Sequence, residues 1–203
     1  MRTLKCILLF LCGILFSCNG KSIDNTNLPP VLGETFTSNT YANTSKVSLI
    51  NQQGKPFDGL QTGKIKVVDF FFTSCPTICP KMTSHLKEVQ LHFAKNEQVE
   101  ILSYSIDGLN DTPEVLKNYT RNHRIDTHQW QLITGEPSAI FQMSQAYKVM
   151  AYDDSDGTER NLIHDGTFVL VDDKNQIRGY YNGLELKDTQ RLISDIEKLL
   201  NTM

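Results

Sequence analysis

The run Ile65-Lys66-Val67-Val68-Asp69-Phe70-Phe71-Phe72 is the feature that most constrains this chain. A short, largely apolar segment of this kind reads as a strand buried on both faces, the signature of a parallel sheet with helices on either side. It runs directly into Thr73-Ser74-Cys75-Pro76-Thr77-Ile78-Cys79-Pro80. A helical pattern follows from Lys81 to Lys95, with Leu86, Val89 and Phe93 at helical spacing. Two thiols therefore stand at the carboxyl end of a strand and the amino end of a helix. The partial positive charge at a helix N-terminus favours the thiolate. Thiolates serve both disulfide exchange and the binding of soft metals.

Three residues separate the cysteines, one more than in the thioredoxin redox motif. Pro80 suits the first helical position, where a missing N–H costs nothing. That assignment makes Cys79 the cap and leaves Cys75 in the loop, so that both sulfurs can converge in front of the helix. The alternative is a pair of inert, buried cysteines.

The N-terminus carries a targeting signal. Arg2 and Lys5 precede an apolar run from Cys6 to Phe16, too short to cross a bilayer as a helix. The run ends in Leu15-Phe16-Ser17-Cys18, which resembles a bacterial lipobox. Residues 1–17 are then a lipoprotein signal peptide, and Cys18 is the lipidated first residue of the mature chain. Residues 18–27 form a flexible tether, and 28–203 the folded domain. Several acyl chains on one residue anchor a protein stably where one chain does not. Cys6 and Cys12 leave with the signal and Cys18 carries lipid, so Cys75 and Cys79 remain as the thiols. In an oxidising envelope such a pair closes to a disulfide unless it is reduced or held by a metal. The net charge of −3 and the lack of a basic stripe argue against nucleic acid as a partner.

Beyond the tether, Asn43 to Ile50 and the turn Asn51 to Lys55 suggest a hairpin. Strands follow at Ile65–Phe72, Val99–Ile106 and Trp130–Ile133. Helices follow from Pro113 to about His123, opened by Asp111 or Thr112 as cap, and from Pro137 to Tyr147. Asp153 to Gly157 is a polar loop without the spacing of a calcium loop. Thr167–Val171 and Ile177–Tyr181 form a second hairpin, and Leu186–Leu200 a final amphipathic helix. The order predicts an α/β, thioredoxin-like fold with an added N-terminal β-hairpin and an inserted helix-strand element.

Several of these features together resemble the SCO/SenC family: Cys75-Pro76-Thr77-Ile78-Cys79-Pro80 after a Phe-rich strand, Ser105-Ile106-Asp107 before Asp111-Thr112-Pro113-Glu114, and Ile163-His164 ahead of Thr167-Phe168-Val169-Leu170-Val171. The similarity spans about residues 28 to 200. It implies a thioredoxin-fold copper protein that assists cytochrome c oxidase assembly, with Cys75, Cys79 and His164 as copper ligands. The implied partners are the copper-bearing subunit of the oxidase or another copper chaperone, with the membrane reached through the lipid anchor. The implied location is the extracytoplasmic side of a bacterial envelope membrane. Two thiolates suit Cu(I), and imidazole suits either Cu(I) or Cu(II).

The chain departs from the pattern at Asp165, where Ser or Thr often stands, and at Gly108, where Pro often stands. Asp165 is either an acceptor that orients His164 or a solvent-facing group. No proline follows Pro137, although thioredoxins proper carry a cis-proline opposite their cysteines. The histidine occupies that region instead, which argues against a general dithiol reductase.

A second reading makes the redox-active pair Cys75 and Cys79 a thiol–disulfide oxidoreductase that carries no copper. A peroxidase is a weaker third, since no spacing singles out Arg121, Arg124 or Arg160 as a partner. Among the other candidates, Met82 and Trp130 read as core. Asp107 stands either at the site mouth or in a turn. His85 and His92 read as surface groups, and His123 and His128 as incidental.

Overall fold

The computed structural model describes residues 28–34, 49–57, 62–154 and 161–203. The signal, the tether, Cys18 and the Asn43–Ser48 part of the expected hairpin lie outside the described residues. Strands β1 (Gly33–Glu34) and β2 (Ile50–Asn51) precede β3 (Ile65–Phe71), helix α1 (Cys79–His92), β4 (Val99–Ser105), α2 (Pro113–Asn122) and β5 (Trp130–Thr134). Then come α3 (Pro137–Ala146), β6 (Ala151–Asp153), β7 (Leu162–His164), β8 (Thr167–Val171), β9 (Gln176–Asn182) and α4 (Leu186–Leu200).

Seven strands form one sheet in the order β1-β9-β8-β3-β4-β5-β2, and β6 and β7 make a separate ribbon. β3, β4 and β5 are parallel, and β8 runs antiparallel to β3. Every residue of β3 is buried, as its composition requires for a strand covered on both faces. Its alternation feeds two cores. Ile65, Val67 and Phe71 pack with Met82, Leu86 and Val89 of α1, Leu116 of α2, and Leu192, Ile196 and Leu199 of α4. Val68 and Phe70 pack on the other face with Ala139, Ile140 and Met143 of α3. Met82 and Trp130 are core residues as expected.

The expected N-terminal hairpin is present at its tip. Asn51 and Lys55 close the turn, and Ile50 bridges Pro56. Its strand β2 adds to the sheet edge beside β5.

Helix α1 starts one residue earlier than expected. Ile78 is the cap, already in a right-handed helical conformation, and its carbonyl accepts from Lys81 and Met82. Cys79 is thus the first helical residue rather than the cap. Pro80 at the second position is equally harmless, because the first turn has no carbonyl for that N–H.

The glycine at 108 also has a physical reason. A Cβ there would lie 2.0 Å from the Gly135 carbonyl oxygen, so the two loops at the ends of β4 and β5 pack backbone to backbone.

Candidate metal centre

Three separate elements bring the donors together. Cys75 sits in the loop after β3, Cys79 opens α1, and His164 ends β7. One ligand atom from each lies within 4.8 Å of the other two, and all three residues are buried at their donor ends. This is the one such group of histidine, cysteine or acidic side chains among the described residues. Cys79 Sγ is 3.3 Å from His164 Nε2, and Cys75 Sγ is 3.6 Å from Thr77 Oγ1. No disulfide joins the two sulfurs in this structure.

The two thiols are not equivalent. Burial works against ionisation of Cys75, but the backbone N–H groups of Cys79 and Thr77 and contacts with their side chains outweigh it and hold its pKa below the ordinary value. Burial pushes Cys79 far up, despite the Phe72 backbone, and the charges of Cys75 and Asp69 add to the rise. Cys75 is therefore the thiol that ionises more readily of the two. Burial also lowers His164 to about 4, against the pull of Asp165, so its imidazole is neutral at physiological pH. A neutral imidazole beside two sulfurs is a suitable donor set for a soft cation.

The surroundings correct several expectations. Asp165 does not orient His164. Its carboxylate accepts from the backbone N–H groups of Met150 and Thr167 and so pins the turn between β7 and β8. The Nδ1 of His164 is buried with no hydrogen-bond partner among the described residues. The ring is held instead by the edge-on ring of Phe72, 5.9 Å away between centroids.

His85 is not a surface group. It is 8% exposed, and its Nδ1 donates to the Gly183 carbonyl at 2.8 Å, tying α1 to the loop after β9. A helical-face reading missed this because α4 and the β9 loop cover that face. His92 does face solvent and pairs with Glu197. His123 stacks on Tyr119 at 4.2 Å between ring centroids, which gives it a packing role. Asp107 is buried, and both its carboxylate oxygens accept from the Asn110 side chain. It belongs to the turn before α2.

Two carboxylates hold positions that spacing alone does not reveal. Asp69 lies within β3, fully buried, where it accepts from the Ser103 hydroxyl, which in turn accepts from Trp130 Nε1 at 2.8 Å. An acid inside so apolar a strand was the available signal. Of the two expected caps, Asp111 and Thr112, it is Thr112 that caps α2 by accepting from Val115 N–H. Asp111 turns inward beneath the cysteine loop.

Fold and site together define a thioredoxin-like domain in which a dithiol and a histidine converge at the carboxyl end of the central strands. The SCO1/SenC family model matches residues 37–201, and the chain belongs to that family. The SCO1 protein homolog of Bacillus subtilis is 31% identical over 192 residues, covering 94% of this chain and 91% of that protein. Among solved structures, BsSco is similar at 28% identity with a TM-score of 0.70, covering 88% of this chain and 99% of BsSco. It is a member of the Sco family of cytochrome c oxidase assembly proteins in which a disulfide switch is identified. A SCO1/SenC family lipoprotein from Bacillus anthracis matches at 30% identity and TM-score 0.67, over 75% of this chain and 92% of that one. Bradyrhizobium japonicum ScoI, solved with copper bound, shares the fold at 23% identity and TM-score 0.63, over 75% and 96%.

Proposed function

We propose that this protein is a copper carrier that holds a single ion between Cys75, Cys79 and His164 and serves the assembly of the copper centre of cytochrome c oxidase. The observation that carries this reading is the convergence of two sulfurs and a neutral imidazole within 4.8 Å. Membership of the SCO1/SenC family and the copper-bound fold relative support it. Copper is cargo here. Two thiolates and an imidazole give Cu(I) a complete three-coordinate site and leave Cu(II) open to one more ligand. Loading requires both thiols to give up their protons, and Cys75, whose pKa is held below the ordinary value, gives its proton up more readily than Cys79. Release to a recipient proceeds by ligand exchange at the loop that carries Cys75, the more accessible of the two sulfurs. The same reading places residues 1–17 in a signal peptide and a lipid on Cys18. Residues 18–27 serve as a tether to the outer side of an envelope membrane. The recipients are the copper-bearing oxidase subunit or another copper chaperone.

The inequality of the thiols favours a second reading, a thiol–disulfide oxidoreductase of the same fold. The Cys75 thiolate would attack a target disulfide, forming a mixed disulfide and releasing one target thiolate. Cys79 would then displace the second target sulfur, its proton going to the leaving group. The target ends reduced, and Cys75–Cys79 oxidised. That chemistry has no need of His164.

A Cu(I) competition titration of the reduced protein separates the two. The copper reading expects tight one-to-one binding that weakens about 100-fold or more in His164→Ala, the loss of one ligand of three. Binding indifferent to His164 favours the oxidoreductase.

A further inference from the structure

Asp111 is 1% exposed. One of its oxygens accepts from the Thr73 backbone N–H at 2.9 Å and the Ser105 hydroxyl at 2.5 Å; the other accepts from the Thr73 hydroxyl at 2.5 Å. Its own N–H donates to the Asp107 carbonyl at 2.8 Å. The carboxylate thus joins the loop after β3, the end of β4 and the start of α2. Burying a carboxylate is costly unless its lone pairs are filled. Here three neutral donors fill them, and no cation faces it among the described residues. Helix capping does not account for it, since Thr112 does that work.

What the carboxylate orients is Thr73, held at both its backbone and its hydroxyl. Cys75 follows two residues later, in a turn whose N–H returns to the Phe72 carbonyl at 3.3 Å. On the far side, the Ile78 carbonyl already belongs to α1. Residues 74–78 are therefore a short bridge fastened at both ends, and the position of the Cys75 sulfur depends on the upstream fastening. We propose that Asp111 is a positioning residue for Cys75: through Thr73 it sets the approach of the Cys75 sulfur to Cys79 and, in the copper reading on which this part rests, to the third donor His164.

The test uses the full-length protein and the variants Asp111→Asn, Thr73→Val and their combination. Thr73→Val removes one hydrogen bond without changing charge. Three quantities are measured: the Cys75–Cys79 disulfide equilibrium against a glutathione pair, Cu(I) affinity by competition, and the urea midpoint. The expected result is that each single variant lowers the disulfide equilibrium constant and the Cu(I) affinity by about tenfold, the size of one hydrogen bond to a charged group. The double variant should be no worse than Asp111→Asn alone, because both act through one contact. A fall in the urea midpoint with the other two quantities unchanged within about twofold would mean that Asp111 is merely structural and would overturn the proposal. If Asp111→Asn does not fold, Thr73→Val decides by the same criteria. The disulfide arm needs no metal. A wild-type protein indifferent to Cu(I) would sink the copper reading while leaving the role of Asp111 to be judged by glutathione.

Discussion

At the scale of single residues, the informative groups are those whose charge sits badly with their surroundings. Asp69 is the clearest. Burial raises its carboxyl to about 7, even though the Ser103 hydroxyl stabilises the anion. The unfolded chain releases this proton near pH 4. Between about pH 4 and 7 the folded protein therefore binds more protons than the unfolded one, and its stability falls as pH rises through that window, levelling off above the folded value. The full effect of one such group is at most about 4 kcal/mol. Asp69→Asn keeps an acceptor for Ser103 and titrates nowhere. In urea unfolding of the reduced, metal-free protein, the variant should lose most of the decline between pH 4.5 and 7.5 and gain stability at the upper end. A decline of the same size in both proteins would assign it to other groups. Neither the raised Asp69 nor the protonated Cys79 can be seen from spacing alone. Each depends on how completely α1, α4 and the sheet exclude water from this face.

At the scale of elements, the strand and helix that carry the cysteines were legible because each follows a local rule. β3 is too apolar to be anything but doubly covered, and α4 matches its expected bounds because Leu192, Ile196 and Leu199 recur at helical spacing on one face. The β6–β7 ribbon was not legible. Each of its strands has three residues, too few for a period to show. Only the pairing of Ala151 with His164, across the interval that holds the polar loop, creates it. The histidine was found by its resemblance to a family pattern, while its mounting was not found at all.

That mounting leads back to α1. His85 holds the Gly183 carbonyl, and the Gly183 N–H donates to the Gly166 carbonyl at 2.8 Å, two residues past His164. A Cβ on Gly183 would meet that carbonyl oxygen at 2.7 Å and the Phe168 ring at 2.8 Å. Neither is the free end of a flexible chain. Gly183→Ala should therefore push the histidine turn away from the cysteine helix. The expected cost is about 1–3 kcal/mol of stability, with a loss of Cu(I) affinity close to that of His164→Ala. Calorimetry and the competition titration read these two effects separately. An affinity equal to wild type would show that the turn tolerates the shift without moving the imidazole.

At the scale of the whole molecule, the proposed lipid anchor decides where the site is held. The apolar run from Cys6 to Phe16 is shorter than the ~20 residues that a membrane-spanning helix needs. No helix of the described residues is long and apolar enough to cross a membrane either. In the proposed reading, attachment rests on a lipidated Cys18, and its strength on the number of acyl chains. Each buried methylene contributes about 0.8 kcal/mol, so one chain binds reversibly while two or more hold. The tether proposed for Asn19 to Asn27 would, as a flexible coil of that length, have a root-mean-square reach of roughly 15–18 Å. On the proposed function, such a tether would keep a copper donor close to the membrane surface while leaving it free to turn. Such confinement raises the effective concentration of the site toward any recipient in the same membrane without a new contact. Metabolic labelling with a radioactive fatty acid tests the premise. The wild-type chain and Cys75→Ser/Cys79→Ser should incorporate label, and Cys18→Ala should not. Label retained in Cys18→Ala would move the lipid elsewhere and remove the basis for placing the start of the mature chain at Cys18.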